Sequence, residues 1–114
     1  MPEDITVPRR TMREIDEVQG NLVVQDGTVK SVSPGDTVKV TGVTECQGDC
    51  VFESSLETSE FRGGRGDIVV EGNLTSEGSI RIRRGRLEVG GDLRSKRIDV
   101  DKRVEVGGNL DSEH

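Results

Sequence analysis

The sequence predicts an all-β solenoid, and three observations carry that prediction. The aliphatic inventory is 16 Val, 6 Ile and 6 Leu, with two Phe and no Ala, Trp or Tyr. β-Branched side chains are stiff at χ1 and pack well on a pleated surface, whereas helices lean on Ala and unbranched residues. Apolar residues alternate with polar ones in short runs, the period of a strand with one buried face. A corner of Gly, then Asn or Asp, then Leu recurs at Gly20-Asn21-Leu22, Gly72-Asn73-Leu74, Gly91-Asp92-Leu93 and Gly108-Asn109-Leu110, with a degenerate copy at Gly42-Val43-Thr44. Such a unit cannot bury its own apolar edge, so successive units must stack, at about 4.8 Å per coil.

The elements follow in order. Residues 1–14 hold two of the three prolines and show no helical or strand period. They read as a flexible tail ahead of a single domain over 15–114, and deleting them is expected to leave the stack and its assembly intact. Alternating pairs lead into the later corners: Val38 and Val40, Ile68 and Val70, Leu87 and Val89, Val104 and Val106. The intervals of 19 residues from Gly72 to Gly91 and 17 from Gly91 to Gly108 each hold a second pair, Ile80 with Ile82 and Ile98 with Val100. These residues, with Val18, Leu22, Leu74 and Leu93, are the expected core. Aligning Ile80-Arg81-Ile82-Arg83 over Ile98-Asp99-Val100-Asp101 sets Arg81 against Asp99 and Arg83 against Asp101 as exposed pairs that fix register. The 30-residue gap from Gly42 to Gly72 reads as an insertion or bulged coil over about 54–66. About five coils result, and the last reads as cut short after Leu110 or as an end that another molecule covers.

Chemistry is sparse. The only histidine is His114, which leaves no imidazole for general acid/base work. Cys46 and Cys50 supply two ligands where structural zinc wants four, so no metal is expected, and the pair reads as reduced packing residues at a corner. The glycines lack the Lys and Ser or Thr of a phosphate loop and read as corners that exploit positive φ. No cofactor is expected. Arg65-Gly66-Asp67 and Asn73-Leu74-Thr75 read as coincidental matches to an integrin-binding tripeptide and a glycosylation acceptor, because no export signal precedes them. No apolar run is long enough for a bilayer, and a cytoplasmic location is expected.

Acidic residues outnumber basic ones 22 to 16, for a net charge of −6, which disfavours nucleic acid as a partner. Arg81, Arg83, Arg84 and Arg86 form a basic cluster without the aromatics that stack nucleic-acid bases. It reads as a solvated face first and as a face for an acidic partner second. Charge is graded along the chain: residues 1–61 carry 5 basic and 12 acidic side chains, residues 62–103 carry 11 and 7.

The repeats of 17 to 22 residues, the alternating Val and Ile leading into Gly corners, the near absence of aromatics and the short polar tails resemble the bactofilin family of polymer-forming cytoskeletal proteins, over roughly Val18 to Leu110. The Arg-rich, Lys-poor, acidic balance resembles the haloarchaeal branch, the halofilins. The resemblance implies a right-handed parallel β-helix of triangular section that polymerises end to end into non-polar filaments without nucleotide; the missing catalytic groups separately lead us to expect no enzyme. The membrane-attachment tails of that family have no clear counterpart in residues 1–13, so membrane association would come through partners such as related filament subunits. The left-handed β-helix of hexapeptide acyltransferases is the rival fold. It needs an aliphatic residue every six positions and a catalytic His between coils, and neither is present.

Open solenoid ends expose unpaired backbone groups and an apolar cross-section. The expected self-assembly surfaces are Val18, Leu22 and Val24 at one end and Val104, Val106 and Leu110, backed by Ile98 and Val100, at the other. The chain's main partner would then be itself. The competing expectation is a small adaptor or regulator that binds an acidic partner, or another filament subunit, through the Arg81–Arg86 face.

Overall fold

The computed structural model describes residues 4–31, 37–64 and 66–112. Arg65 of the Arg65-Gly66-Asp67 tripeptide lies outside them, as does His114. The described chain contains strands and turns with no helix, and every strand pair is parallel. It is a β-solenoid of six turns with three faces, compatible with the right-handed parallel β-helix that the resemblance implies.

The first turn is β1 (Ile5–Val7), β2 (Met12–Glu14) and β3 (Glu17–Val18). The second is β4 (Leu22–Gln25), β5 (Thr28–Lys30) and the first half of β6 (Thr37–Gln47). The rest of β6, β7 (Cys50–Phe52) and the start of β8 (Ser55–Gly63) make the third; the rest of β8, β9 (Gly66–Val70) and β10 (Leu74–Ser76) make the fourth. The fifth is β11 (Ser79–Ile82), β12 (Gly85–Val89) and β13 (Leu93–Ser95), and the sixth is β14 (Arg97–Val100), β15 (Arg103–Val106) and β16 (Leu110–Ser112). Both β6 and β8 bend round one corner, with a register shift between Val40 and Val43. Face I stacks β1, β4, β6, β8, β11 and β14; face II stacks β2, β5, β7, β9, β12 and β15; face III stacks β3, β6, β8, β10, β13 and β16.

Two expectations are corrected by this register. Residues 4–14 are no tail: Ile5, Thr6 and Val7 pair with Leu22, Val23 and Val24, and Met12–Glu14 pair with Thr28–Lys30. Val7 is fully buried, so this segment builds the additional turn. Residues 54–66 are no insertion either. Leu56-Glu57-Thr58 pairs with Leu74-Thr75-Ser76, and Phe61-Arg62-Gly63 with Ile80-Arg81-Ile82, as two regular strand segments. The long gap arises because the Gly motifs sit on different corners. Leu22 enters face I beside Thr44, whereas Leu74, Leu93 and Leu110 enter face III. The true excess length lies elsewhere: Glu14 pairs with Lys30 but Val18 with Val40, so additional residues fall between Lys30 and Val40, a stretch that includes residues 32–36, outside the described set.

The interior is one apolar column. The expected residues from Val18 through Leu93 are all buried, and Val7, Ile15, Val24, Val29, Leu56, Phe52 and Phe61 join them. The two phenylalanine rings meet edge to face, centroids 5.8 Å apart, in the middle of the stack. Buried hydroxyls seal the corner between faces III and I. Thr44 donates to Thr58 at 2.9 Å, while Ser76 and Ser95 lie within hydrogen-bond reach of Ser59 and Gly78 carbonyls in the turn below. Among the described residues no buried side-chain N or O lacks a partner, as a low-dielectric interior demands.

Cys46 and Cys50 are joined by a disulfide, correcting the expectation of reduced thiols. Both are buried, 1% and 0% exposed, inside the corner between β6 and β7. Tight turning over Gln47-Gly48-Asp49, with φ of 95° at Gly48, returns the chain quickly enough to bring their Cα atoms within 6.2 Å.

Candidate assembly surfaces

Corners determine how the turns stack. The Asn73 side-chain oxygen accepts a hydrogen bond from the Asp92 N–H at 2.8 Å, and Asp92 Oδ1 accepts from the Asn109 N–H at 2.8 Å. At the neighbouring corners Asn21 receives the Val43 N–H, and Asp26 and Asp49 receive the Asp49 and Asp67 N–H groups. Each turn's Asx oxygen therefore satisfies a backbone donor one turn along. This explains Gly42, Gly91 and Gly108 better than positive φ does. Gly72, Gly91 and Gly108 are absent from the positive-φ set. A Cβ at Gly91 or Gly108 would instead collide with the Asx oxygen of Asn73 or Asp92 beneath it. The Asn109 side chain is the last rung, on an exposed residue.

The final turn is open along its whole perimeter. β14 pairs only with β11, β15 only with β12 and β16 only with β13. Each strand thus leaves one backbone edge unpaired among the described residues. Ile98, Val100, Val104 and Val106 pack against the core but are only partly buried. Leu110 is 56% exposed, whereas Leu93, Leu74 and Leu56, its equivalents in the turns below, are 0–1% exposed. The residues expected at the C-terminal end therefore do lie on the last turn, and all five are aliphatic.

At the other end the expected surface moves. Leu22 and Val24 lie beneath β1 and are fully buried, so they cannot form an interface; Val18, in the first turn, is 1% exposed. The terminal strands are β1, β2 and β3, each paired on one edge only among the described residues. Ile5 is partly buried and Met12 is 59% exposed. The column that reads Val29, Phe52, Val70, Val89 and Val106 in later turns begins with Arg13. An exposed arginine at the head of this apolar column makes this end the poorer apolar contact, a device that sheet edges use against indiscriminate pairing.

The arginine cluster is split by the fold. Arg81 lies on β11 of face I, Arg86 on β12 of face II, and Arg84 between them with φ of 57°. All four arginines are exposed. The expected register is right, since Arg81 pairs with Asp99 in the ladder, but the two residues form no close ion pair; such pairs among the described residues include Arg9–Asp26, Arg62–Glu60, Arg94–Asp111 and Arg103–Glu105. Among the described residues no His, Cys, Asp and Glu cluster has metal-ligating geometry, and no helix is long and apolar enough to cross a membrane. The chain matches no protein-family model, no curated protein and no solved structure.

Proposed function

We propose that this chain is a scaffold subunit that assembles end to end into filaments without nucleotide, as the likeness to bactofilins implies, with the cytoplasm as its setting and copies of itself as its main partner. One observation carries the reading. Leu110, whose equivalents Leu93, Leu74 and Leu56 are buried, stands 56% exposed on the last turn, and among the described residues the strands of the first and last turns each have one unpaired edge. Joining such ends would bury aliphatic surface, worth about 25 cal/mol per Å², and complete three strand ladders at once. The aliphatic C-terminal end is the stronger contact.

Sedimentation and negative-stain electron microscopy of the purified chain test this. Wild type should pellet as filaments, and Val106→Arg and Leu110→Arg should remain in the supernatant with an unchanged β-type circular dichroism spectrum. Folded Leu110→Arg protein that pellets like wild type would overturn the reading. The adaptor reading draws support from the exposed Arg81, Arg83, Arg84 and Arg86, none of which forms a close ion pair with a described residue; a strict monomer that captures an acidic peptide would favour it.

A further inference from the structure

Face II carries on its solvent side a feature that end-to-end stacking leaves unused. Along the axis, one column of outward positions is Met12, Thr28, Val51 and Val69, in register from turn to turn. Glu88 and Glu105 take this position in the last two turns. Thr28, Val51 and Val69 are half-buried and Met12 is exposed. The matching column on face III, by contrast, is charged from its first turn, beginning with Glu17, Lys39 and Glu57.

Carboxylates flank the stripe. Asp49 and Asp67 lie on one side of it in the third and fourth turns, Glu53 and Glu71 on the other, all four exposed. None of them is in an ion pair with a described residue. Glu14 and Lys30 occupy the Glu53 side in the first two turns, and Arg86 and Arg103 succeed Asp67 in the last two. Over the third and fourth turns the flanking rails are carboxylates alone, which disfavour a second copy's face II through repulsion and favour a cationic occupant. The spacing selects its shape. Residues 49 and 53 are four apart on an extended chain, so the rails stand about 13 Å apart at ~3.3 Å per residue. A helix with its side chains is about 10–12 Å across, and its apolar residues recur every ~5.4 Å along its axis, close to the ~4.8 Å between solenoid turns. An extended peptide laid along the same line would repeat at about 6.8 Å and fall out of step within three turns.

We propose that face II docks a cationic amphipathic helix of a partner protein, its apolar stripe on Met12, Thr28, Val51 and Val69 and its Lys or Arg side chains on the two acidic rails. The proposal is independent of end-to-end assembly. It is tested by fluorescence anisotropy with a synthetic peptide of about 14 Leu and Lys residues, long enough to hold a helix on a surface, with Leu at positions i, i+3, i+4 and i+7. The control peptide has the same composition with that spacing scrambled. The patterned peptide should bind about tenfold more tightly than the scrambled one and gain helical circular dichroism on binding. Both Glu53→Lys with Glu71→Lys and Val51→Ser with Val69→Ser should weaken it about tenfold or more, while sedimenting like wild type. Equal affinity for the two peptides, an unchanged affinity in both folded double variants, no binding, or binding without helix formation would each overturn the proposal.

Discussion

Replacing Phe61 by Ala puts the description of the interior to a quantitative test. Phe61 is fully buried on face I between Thr44 and Ile80, and its ring meets Phe52 at 5.8 Å. Solenoid turns are closed on three sides by neighbouring strands, so the site cannot collapse, and the loss should fall in the usual range for a large aromatic, about 3–5 kcal/mol. Unfolding entropy of about 2.1 cal/mol/K per residue gives roughly 240 cal/mol/K for the whole chain, so each kcal/mol lowers the melting temperature by about 4 °C and the variant by about 12–20 °C. The measurement belongs in a Leu110→Arg background, because filament formation would add its own stabilisation. Urea unfolding followed by circular dichroism supplies the free energies, and a cycle with Phe52→Ala should show a coupling of about 0.5–1.5 kcal/mol from the edge-to-face pair. A loss below about 1 kcal/mol for Phe61→Ala, or strict additivity with Phe52→Ala, would refute a packed aromatic pair at the centre of the stack.

Reduction of the Cys46–Cys50 disulfide should lower stability by about 2 kcal/mol, from the chain-entropy cost of a loop this short; identical urea midpoints with and without reductant would show that the bond does not constrain the corner. Gly85→Ala should be destabilising by about 1–3 kcal/mol because its Cβ would strike the Gly66 backbone carbonyl. Gly64→Ala, whose Cβ meets nothing nearer than 3.8 Å, should be close to neutral, and equal thermal shifts for the two would contradict the described corners. Removing residues 1–14 uncovers Leu22 and Val24 and should cost at least about 2 kcal/mol, measured by urea unfolding; wild-type stability would restore the tail that the sequence suggests.

How far the sequence could be read depends on which signals repeat with a fixed spacing. The stacking of Ile80-Arg81-Ile82 on Ile98-Asp99-Val100 was legible because alternation and charge agreed over adjacent units, and the structure has that register. The first turn was not, since β1 and β2 are three residues each, carry prolines nearby and place Arg13 where later turns have Val or Phe. Leu56-Glu57-Thr58 was hidden by the absence of a Gly-Asx corner before it, although Leu74-Thr75-Ser76 and Leu93-Arg94-Ser95 share its Leu-x-Ser/Thr form. That three-residue pattern, with its buried hydroxyl, was the available signal. The disulfide was obscured because two cysteines four residues apart give no framework, and only the tight corner brings them together. Of the residues expected at the solenoid ends, the C-terminal set does lie on the last turn, because its strands are regular, whereas Leu22 and Val24 lie beneath β1.

The most direct test of end-to-end assembly is X-ray fibre diffraction from aligned filaments, paired with electron microscopy of the same sample. Stacked turns running along the filament predict a strong meridional reflection at about 4.8 Å. Six turns per subunit predict an axial subunit spacing near 29 Å at ~4.8 Å per turn, lost along with the filaments in Leu110→Arg. Filaments whose 4.8 Å reflection lies on the equator would mean that subunits join through their faces, and would contradict the account.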